Sequence, residues 1–496
     1  MISGFSGIDT AVVVLYFAAT MSIGFASMRR SRTVEGFTAA ERSMPGWLTG
    51  LAILGSFVSS ISFLAYPGKA YAGDWNAYSW CFSMPIATII AVKYFVPFYR
   101  RIGSVSAYEN LEARFGAWAR IYSDICYLLT QVARMASVAY LMALPMSILL
   151  GWNIYAVILA TTAAVIIYSF VGGIIAVIWT EAIQTAVLIL GAIACAAIIT
   201  CSVPDGFEGV VRIAAERNKF SLGSFTLSSF AESTFFVVLL NGLFINLQNF
   251  GIDQNYVQRY ITAKSDFEAK KALWLNGLVY MPLSAVFFYI GTALFCYYLA
   301  NPDLLPTEYA SGKPDYVFPY FMITSLPAGF KGLLVAAVFA AAMSTISCSL
   351  NSAATIILTD IYRRFAGERG RKKEMSVLRL ATVALGAAGG GIALLLAKSS
   401  PENALDVWWT LSGIFSGGML GLYLLSIATN ASSRAAFWAV VSGVAAIAVL
   451  TFSGKFSILP EIPLHKFMIP VVGTSIIFAV GFAACKIAAG IFHKSK

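Results

Sequence analysis

Charged side chains are scarce in this sequence. Only 12% of its 496 residues are Asp, Glu, Lys or Arg, while 59% are hydrophobic. A soluble globular domain carries about 25% charged residues, so the deficit excludes a water-soluble body of this length, together with intrinsic disorder and collagen. The composition leaves a polytopic membrane protein, provided that the hydrophobic residues come in runs of about 20.

Histidine, paired cysteines and phosphate-binding loops are also missing. The two histidines, His465 and His493, lie in polar flanks, so a histidine-based catalytic site, a haem or a zinc hydrolase within the membrane has no support. The seven cysteines show no paired spacing and support neither a disulfide framework nor a zinc site. No Walker-type glycine loop occurs, so ATP-driven transport has no support either. We therefore expect neither an enzyme nor an organic cofactor.

Hydrophobic runs of membrane-spanning length do occur, and there are thirteen of them. They predict an all-α polytopic membrane protein, with a single transmembrane domain over residues 1–496. The runs cover residues 8–28, 47–70, 77–99, 123–150, 154–173, 179–201, 233–252, 273–300, 330–360, 376–397, 405–428, 435–452 and 467–491. No charged segment precedes the first run and three arginines follow it, so we expect a retained helix and not a cleaved signal peptide.

Most basic residues fall in alternate loops between these runs. One side holds, among others, the loop around 363–379 and the loop 253–272 with Arg259, while the other side holds few, including Lys219. Because basic loops stay in the cytoplasm, the N-terminus is predicted outside and the C-terminus inside, in the inner (plasma) membrane. The net charge of +10 then records orientation, and no nucleic-acid partner is expected.

Two ionisable residues interrupt the hydrophobic runs and are functional candidates, because charge at membrane depth is costly. Arg134 has nine or more helical residues on either side, with no obvious acidic partner at that depth. We interpret it as a ligand for an anionic substrate, the alternative being a structural ion pair. Glu181 opens the sixth run, where it either complements the helix dipole or has a functional role.

Three runs are polar where a plain membrane anchor would be apolar. The second run is rich in glycine and serine over residues 55–62, which favours either a discontinuous helix or close helix packing. The seventh run carries Asn246 and Asn249 among its four carboxamides, and it lies five helices after the second, as matching first helices of two inverted five-helix repeats would. In the ninth run Ser344, Ser347 and Cys348 share a helix face beside Thr345. Hydroxyls and freed carbonyls suit sodium, although serines in membrane helices also bond their own backbone.

These polar stretches resemble the sodium:solute symporter family, and in particular its bacterial sialic-acid symporter branch. The similarity extends over nearly the full length and is carried by SSISFLAYPGKAYAGDW at 59–75, SAYENLEARFG at 106–116, GGIIAVIWTEAIQ at 172–184, DQNYVQRYITA at 253–263 and FAAAMSTISCSLNS at 339–352. The resemblance implies a LeuT-like fold with an extra N-terminal helix (8–28), two inverted repeats (47–201 and 233–428) and two C-terminal helices (435–491). It also implies sodium-coupled alternating access.

The resemblance also implies the roles of individual residues. A sodium site would use the carbonyls of Gly55, Val58 and Ala341 with the hydroxyls of Ser344 and Thr345. A second sodium site would fall on Glu181, Ser347 and Cys348, but glutamate replaces the branch's aspartate and a thiol is a poor sodium ligand. The resemblance therefore leaves the stoichiometry open between one and two sodium ions per substrate.

On the substrate side, the resemblance places Ser59, Ser60, Ser62 and Arg134 at the carboxylate of a sugar acid, with Asn246 and Asn249 on the opposite wall. Cys81 and Ala77 stand where the branch has a glutamine and an aromatic residue. We expect a monomeric sodium symporter that imports an organic anion such as a sialic acid. The alternatives are a symporter for a neutral sugar, small carboxylate or amino acid, or a sodium channel or sensor.

Overall fold

The computed structural model describes residues 5–312, 314–399, 418–453 and 462–494. The described residues are helical almost throughout and contain no β-strand, as the composition predicts. The main helices are α1 (Gly7–Ser27), α2 (Gly46–Phe57), α3 (Ser60–Ala72), α4 (Asn76–Ile102), α5 (Ala117–Leu150), α6 (Ile154–Ser202), α7 (Phe235–Ile252), α8 (Gln254–Thr262), α9 (Asp266–Ala300), α10 (Phe330–Ala366), α11 (Gly370–Ser399), α12 (Gly418–Ala428), α13 (Ser433–Phe452) and α14 (Ile469–Lys494). Short helices in the loops include Val34–Ala39, Glu109–Phe115 and Gly206–Glu216.

Ten of the described helices are long and apolar enough to cross a membrane, and the bent pair α2–α3 makes an eleventh span. Helix α6 has 49 residues. Its length of roughly 74 Å is more than twice the hydrocarbon thickness of a bilayer, so it supplies two spans, as the fifth and sixth runs predict. The eleventh run, 405–428, lies outside the described residues as far as residue 417.

The turn between the two halves of α6 is made at Gly173. Its φ is +50° and its ψ is −150°, a backbone conformation that only glycine adopts at low cost. A Cβ at this position would lie 2.7 Å from the ring of Phe37, so space excludes a larger residue as well. The sequence shows no Pro or polar loop here, and the single glycine determines where the first half of α6 ends.

Helix α10 lies at the centre of the bundle. Within its apolar part 94% of the residues are buried, against 28% for α1 and α13 near the periphery. It packs against α6, α5 and α1, so its polar face cannot be a lipid- or water-facing surface. Side chains such as Ser344 and Thr345 are therefore enclosed by protein, and their hydrogen-bonding groups need partners within the bundle.

Two basic residues that the sequence pattern places in solvent loops are buried. Gln254–Thr262 form helix α8 inside the bundle and not a cytoplasmic loop, and the Arg259 side chain is fully buried. Lys219 is 6% exposed. Its ammonium donates to the carbonyls of Tyr71 (2.7 Å) and Gly73 (2.9 Å) at the end of α3. The positive-inside count includes both residues. The prediction of a loop at Arg259 was wrong, because this residue belongs to α8, whereas Lys219 does lie in a turn outside the helices and only its side chain is buried.

Candidate functional site

The second predicted span is broken in the middle. Helix α2 ends at Phe57, and Val58 has φ −90° and ψ 89°, outside the helical region. Helix α3 then begins at Ser60, with Ser59 as its N-cap, and the two halves meet at 54°. The last carbonyls of a helix have no partners in the next turn, so the break frees the carbonyls at the end of α2. This confirms the discontinuous helix that the glycine- and serine-rich stretch favours.

Side chains of other helices reach two of these freed carbonyls. The Ser344 hydroxyl on α10 donates to the Gly55 carbonyl over 3.1 Å. The Arg134 guanidinium on α5 donates through Nη2 to the Ser56 carbonyl, also over 3.1 Å. Gly55 and Ser56 are consecutive residues, so the candidate ion ligands and the candidate anion ligand meet on adjacent peptide groups.

Four of the five proposed sodium ligands are joined by hydrogen bonds. Ser344 and Thr345 each donate a hydroxyl to the Ala341 carbonyl over 3.1 Å, and Ser344 also reaches Gly55. All four residues are buried, and Val58 lies at the break in the same segment with 2% exposure. A set of hydroxyl and carbonyl oxygens without a carboxylate suits a hard monovalent cation, and unwound helix carbonyls bind sodium in membrane transporters. No group of three His, Cys, Asp or Glu residues in the described part of the chain could hold a metal ion.

A second break follows α7. Helix α7 ends at Ile252 and α8 begins at Gln254, with Asp253 between them at φ −76° and ψ 121°. The Asp253 carboxylate caps α8 by accepting the Asn255 backbone N–H over 2.8 Å. The seventh run predicts a polar span, but the break falls beyond its end, where the polar residues of α8 had indicated a loop.

The two breaks lie against each other. The ring of Phe57, the last residue of α2, has its centroid 4.7 Å from that of Tyr256 on α8 and 5.5 Å from that of Phe250 on α7. Two discontinuous helices in contact are the arrangement in which transporters hold ions and substrates near the bilayer midplane. This contact places the candidate sodium ligands at the same level as both breaks.

Arg134 lies between the broken helices with most of its donors uncommitted. It forms no ion pair with a carboxylate in the described part of the chain. The structural ion pair that the sequence leaves open as an alternative is therefore not observed there. The Tyr256 hydroxyl is beside its guanidinium, and the side chain is only partly buried. A guanidinium offers five N–H donors, so the bonds to Ser56 and Tyr256 leave further donors for a carboxylate.

Glu181 is paired with Arg259. Arg259 Nη2 lies 2.7 Å from Oε1 and 2.6 Å from Oε2 of the carboxylate, and both side chains are fully buried. The Ser56 hydroxyl also lies 3.4 Å from Oε1. Sequence analysis missed Arg259, although it falls in the stretch DQNYVQRYITA. The pairing supersedes the interpretation of Glu181 as an interfacial acid at a helix start.

The other two members of the second candidate sodium site bond their own helix. Ser347 donates to the Ser344 carbonyl over 3.1 Å, and Cys348 donates to the Thr345 carbonyl over 3.5 Å. These are the local backbone bonds expected of small polar residues in membrane helices. The structure therefore brings Glu181, Ser347 and Cys348 into one region, where each has a partner within the protein.

The remaining candidate substrate residues divide into two groups. Ser59 caps α3, Ser62 follows it on the first turn, and both are partly exposed at the break, while the Ser60 side chain lies outside the described part. Asn246 is buried and donates its amide to the Ser83 hydroxyl on α4 over 2.9 Å. Asn249, on the same helix α7, is partly exposed.

Aromatic side chains around the break were missed from the sequence. The hydroxyls of Tyr66 and Tyr280 are 3.1 Å apart, and Tyr66 also hydrogen-bonds Ser62. The Tyr280 ring lies 5.7 Å from Phe57 and 5.7 Å from Trp80 between ring centroids. Aromatic faces beside hydroxyls and a guanidinium form a wall suited to a ligand with both polar and apolar surface. Aromatic residues are common throughout this chain, so no sequence signal singles these out.

Comparison with known proteins decides what this arrangement is. The model of the sodium:solute symporter family matches residues 37–443. The chain belongs to the sodium:solute symporter family.

Its relatives in this family cover almost the whole chain. It is 31% identical to the sodium/sialic acid symporter NanT of Aliivibrio fischeri, over 96% of this chain and 93% of that protein. It is 34% identical to the sodium/sialic acid symporter SiaT of Proteus mirabilis, over 85% of each. A solved Na⁺-coupled sialic acid symporter in a substrate-bound outward-open state superposes with a TM-score of 0.90 at 30% identity, over 97% of this chain and 98% of that one. These findings confirm the family, the LeuT-like fold and the expectation of a symporter and not an enzyme.

Proposed function

We propose that this protein is a sodium-coupled symporter that imports a sialic acid or a related sugar acid by alternating access. The observation that carries the proposal is the meeting of a neutral oxygen cage and an unpaired arginine at two helix breaks in contact. Sodium entering the cage of Gly55, Ala341, Ser344 and Thr345 takes over the carbonyls of α2 and α10, and Val58 adds a carbonyl from the same break. The ion thereby fixes the end of α2 against α10.

The anion is bound next to the ion. Its carboxylate pairs with Arg134, while Ser59, Ser60 and Ser62 donate from the start of α3, where the helix dipole also favours negative charge. Tyr66, Trp80 and Tyr280 provide the aromatic wall for the remainder of the substrate. Asn249 is the weaker candidate for the opposite wall, and Asn246 acts there only if it leaves Ser83. The printed specificity of NanT, SiaT and the solved symporter supports a sialic acid as the first substrate to test.

Uptake into proteoliposomes tests the function. A panel of sialic acids, other sugar acids, small monocarboxylates, amino acids and neutral sugars is offered with and without an inward sodium gradient. We expect sodium-dependent accumulation of sugar acids, together with counterflow of labelled substrate, since only a carrier exchanges. Accumulation of a neutral sugar in preference would refute the anion assignment, and sodium flux without counterflow would indicate a channel.

We propose a stoichiometry of one sodium ion per substrate. The guanidinium of Arg259 takes up both oxygens of Glu181, while Ser347 and Cys348 bond to carbonyls of α10. These contacts support a single ion cage, because the groups that a second ion needs already have a fixed cation or a backbone partner. We expect a Hill coefficient near one for activation of uptake by sodium. We also expect the charge transported per substrate molecule to match one sodium ion. A coefficient near two would restore the second site at Glu181, Ser347 and Cys348.

We also propose the orientation and assembly. The exposed basic residues at the adjoining ends of α10 and α11, such as Arg363 and Arg371, support a cytoplasmic C-terminus and an external N-terminus in the inner membrane. The inverted repeats over 47–201 and 233–428 each start with a broken helix, which supports their pairing. The chain contains both breaks and both candidate sites, so a monomer is sufficient. Labelling of cysteines introduced at either terminus in intact cells tests the orientation.

A further inference from the structure

A buried pair of carboxylates lies at the end of α10 remote from the candidate substrate site. Asp360 belongs to the π-helical segment Ile357–Tyr362, and its side chain is fully buried. Asp124, in the first turns of α5, lies beside it and is 3% exposed. One Asp124 oxygen, Oδ1, has no hydrogen-bond partner. A buried carboxylate oxygen without a partner calls for an explanation such as an ion.

The charges around this pair do not balance. Asp360 accepts from Arg120 over 2.8 Å and from the Ser106 hydroxyl over 2.5 Å. Arg120 also pairs with Glu112 over 2.8 Å, and Glu112 pairs in turn with Arg364 over 3.0 Å. Three carboxyl groups therefore face two guanidinium groups, and Asp124 also hydrogen-bonds Asp360, so the two aspartates together need either a bound cation or a shared proton. A cation held between two buried carboxylates would compensate their charge in place of that proton.

A continuous polar face of α10 joins these carboxylates to the sodium cage. Hydroxyl, thiol and amide side chains recur every three or four residues along it, at Ser344, Cys348, Asn351, Ser352, Thr355 and Thr359. Helix α8 adds Gln258, which donates to Asn351 and Thr355. From Thr345 to Asp360 the helix rises roughly 22 Å, so this face spans most of one leaflet.

Several polar atoms along this face have no partner in the present state. They are Gln258 Oε1, Asn351 Nδ2 and Ser349 Oγ, all buried. A buried polar group without a hydrogen bond is less stable than one that has a partner. Water that enters when the helices move apart would hydrogen-bond these atoms. The polar face of α10, which is closed in the present state, can therefore be hydrated when it opens.

We propose that Asp124 and Asp360 form a sodium release site, at which the ion stops after it leaves the cage along the polar face of α10. The ligands are the free Asp124 oxygen, the Asp360 carboxylate and the Ser106 hydroxyl. Arg363 and Arg364 lie three and four residues after Asp360, so the basic-residue distribution puts this end in the cytoplasm. This inference rests on the sodium coupling proposed above.

Inhibition by internal sodium tests the release site. The protein is inserted into proteoliposomes in one orientation. Samples are loaded with increasing internal sodium concentrations at constant ionic strength, and substrate uptake is measured at a fixed external sodium concentration. In the parent protein, internal sodium inhibits substrate uptake because it rebinds to the release site from the inside. Asp124→Asn, which keeps the shape of the side chain, should raise the internal sodium concentration for half-inhibition about tenfold. Its half-activating external sodium concentration should change by less than about twofold.

Two comparisons make the outcome decisive. Asp124→Ser should reproduce the shift of Asp124→Asn, and counterflow of labelled substrate verifies that each variant is folded. Thr345→Val, within the cage, should instead weaken activation by external sodium. Unchanged internal inhibition in Asp124→Asn overturns the release site. It is also overturned if inhibition of the parent protein follows internal pH at constant sodium, because the two aspartates would then share a proton. If the parent protein shows no sodium dependence at all, the proposed function fails, which is a different result.

Discussion

Replacing Thr345 by valine removes one oxygen from the candidate sodium cage and little else. Thr345 is fully buried, and valine has nearly the same volume and the same branching at Cβ. In the present state its hydroxyl donates to the Ala341 carbonyl, which keeps a second donor in Ser344. The substitution therefore leaves no carbonyl without a donor, and the fold should lose only about 1 kcal/mol, the net contribution of one neutral hydrogen bond.

The loss of sodium binding should be larger than the loss of stability. An interaction between a polar group and a charge contributes about 1.5–3 kcal/mol, and each 1.4 kcal/mol is a factor of about ten in a binding constant. We therefore expect the half-activating sodium concentration to rise by roughly 10- to 150-fold in Thr345→Val. The maximal uptake rate at saturating sodium should change much less, since the substrate ligands are intact.

The assay is initial uptake in proteoliposomes as a function of external sodium, with choline holding the ionic strength constant. Thr345→Ser is the matched control, because it keeps the hydroxyl and removes only a methyl group, and it should stay close to the parent. A Thr345→Val variant with a half-activating concentration within twofold of the parent would show that this hydroxyl is not a sodium ligand.

Three further substitutions test other parts of the site. Arg134→Lys keeps the positive charge but loses the planar guanidinium, so it should raise KM for a sugar acid by tenfold or more. Counterflow of a neutral analogue should be unaffected. Equal losses for the sugar acid and the neutral analogue would indicate a structural role. Glu181→Gln leaves the Arg259 guanidinium buried without its counter-charge and should destabilise the fold by about 3–5 kcal/mol, seen as a lower Tm in detergent, and an unchanged Tm would argue against the pair. Gly55→Ala places a Cβ 2.3 Å from Thr185 Oγ1 and should displace the end of α2 and weaken sodium activation. The double variant with Thr185→Ala should restore activation if that clash is the cause.

The sequence predicts the architecture better than the position of single charges. Hydrophobic length alone locates the spans. The small polar residues of the second span leave two alternatives, a break or close helix packing, and the structure shows the break. The break at Asp253 is not predictable in this way, because α8 is short and most of its nine residues are polar, so that its sequence resembles a loop. Its polar side chains can be buried because other helices offer partners, among them Asn351, Ser352 and Thr355 on α10 and Glu181 on α6. No single segment of the sequence contains that information.

Arg259 illustrates the same limit. The sequence places Arg259 among the loop charges because Lys264, Lys270 and Lys271 follow it. The asymmetry of basic residues across the membrane remains when Arg259 is left out. Its partner Glu181 lies 78 residues away in the chain. Glu181 was identified correctly as a residue of interest, yet only the packing of α8 against the rest of the bundle shows what it binds. For the cage, the residue types fitted a sodium site, and the structure adds the contact of Ser344 with Gly55 that holds α2 and α10 together.

The adjacency of Gly55 and Ser56 has a thermodynamic consequence. One carbonyl faces the candidate ion ligands, and the next one accepts from the arginine that would hold the anion. An ion that orders this single stretch of backbone changes the affinity for the anion, and reciprocity requires the anion to change the affinity for the ion by the same factor. Two consecutive peptide groups are then enough to link the two binding equilibria, without any signal travelling through the rest of the bundle.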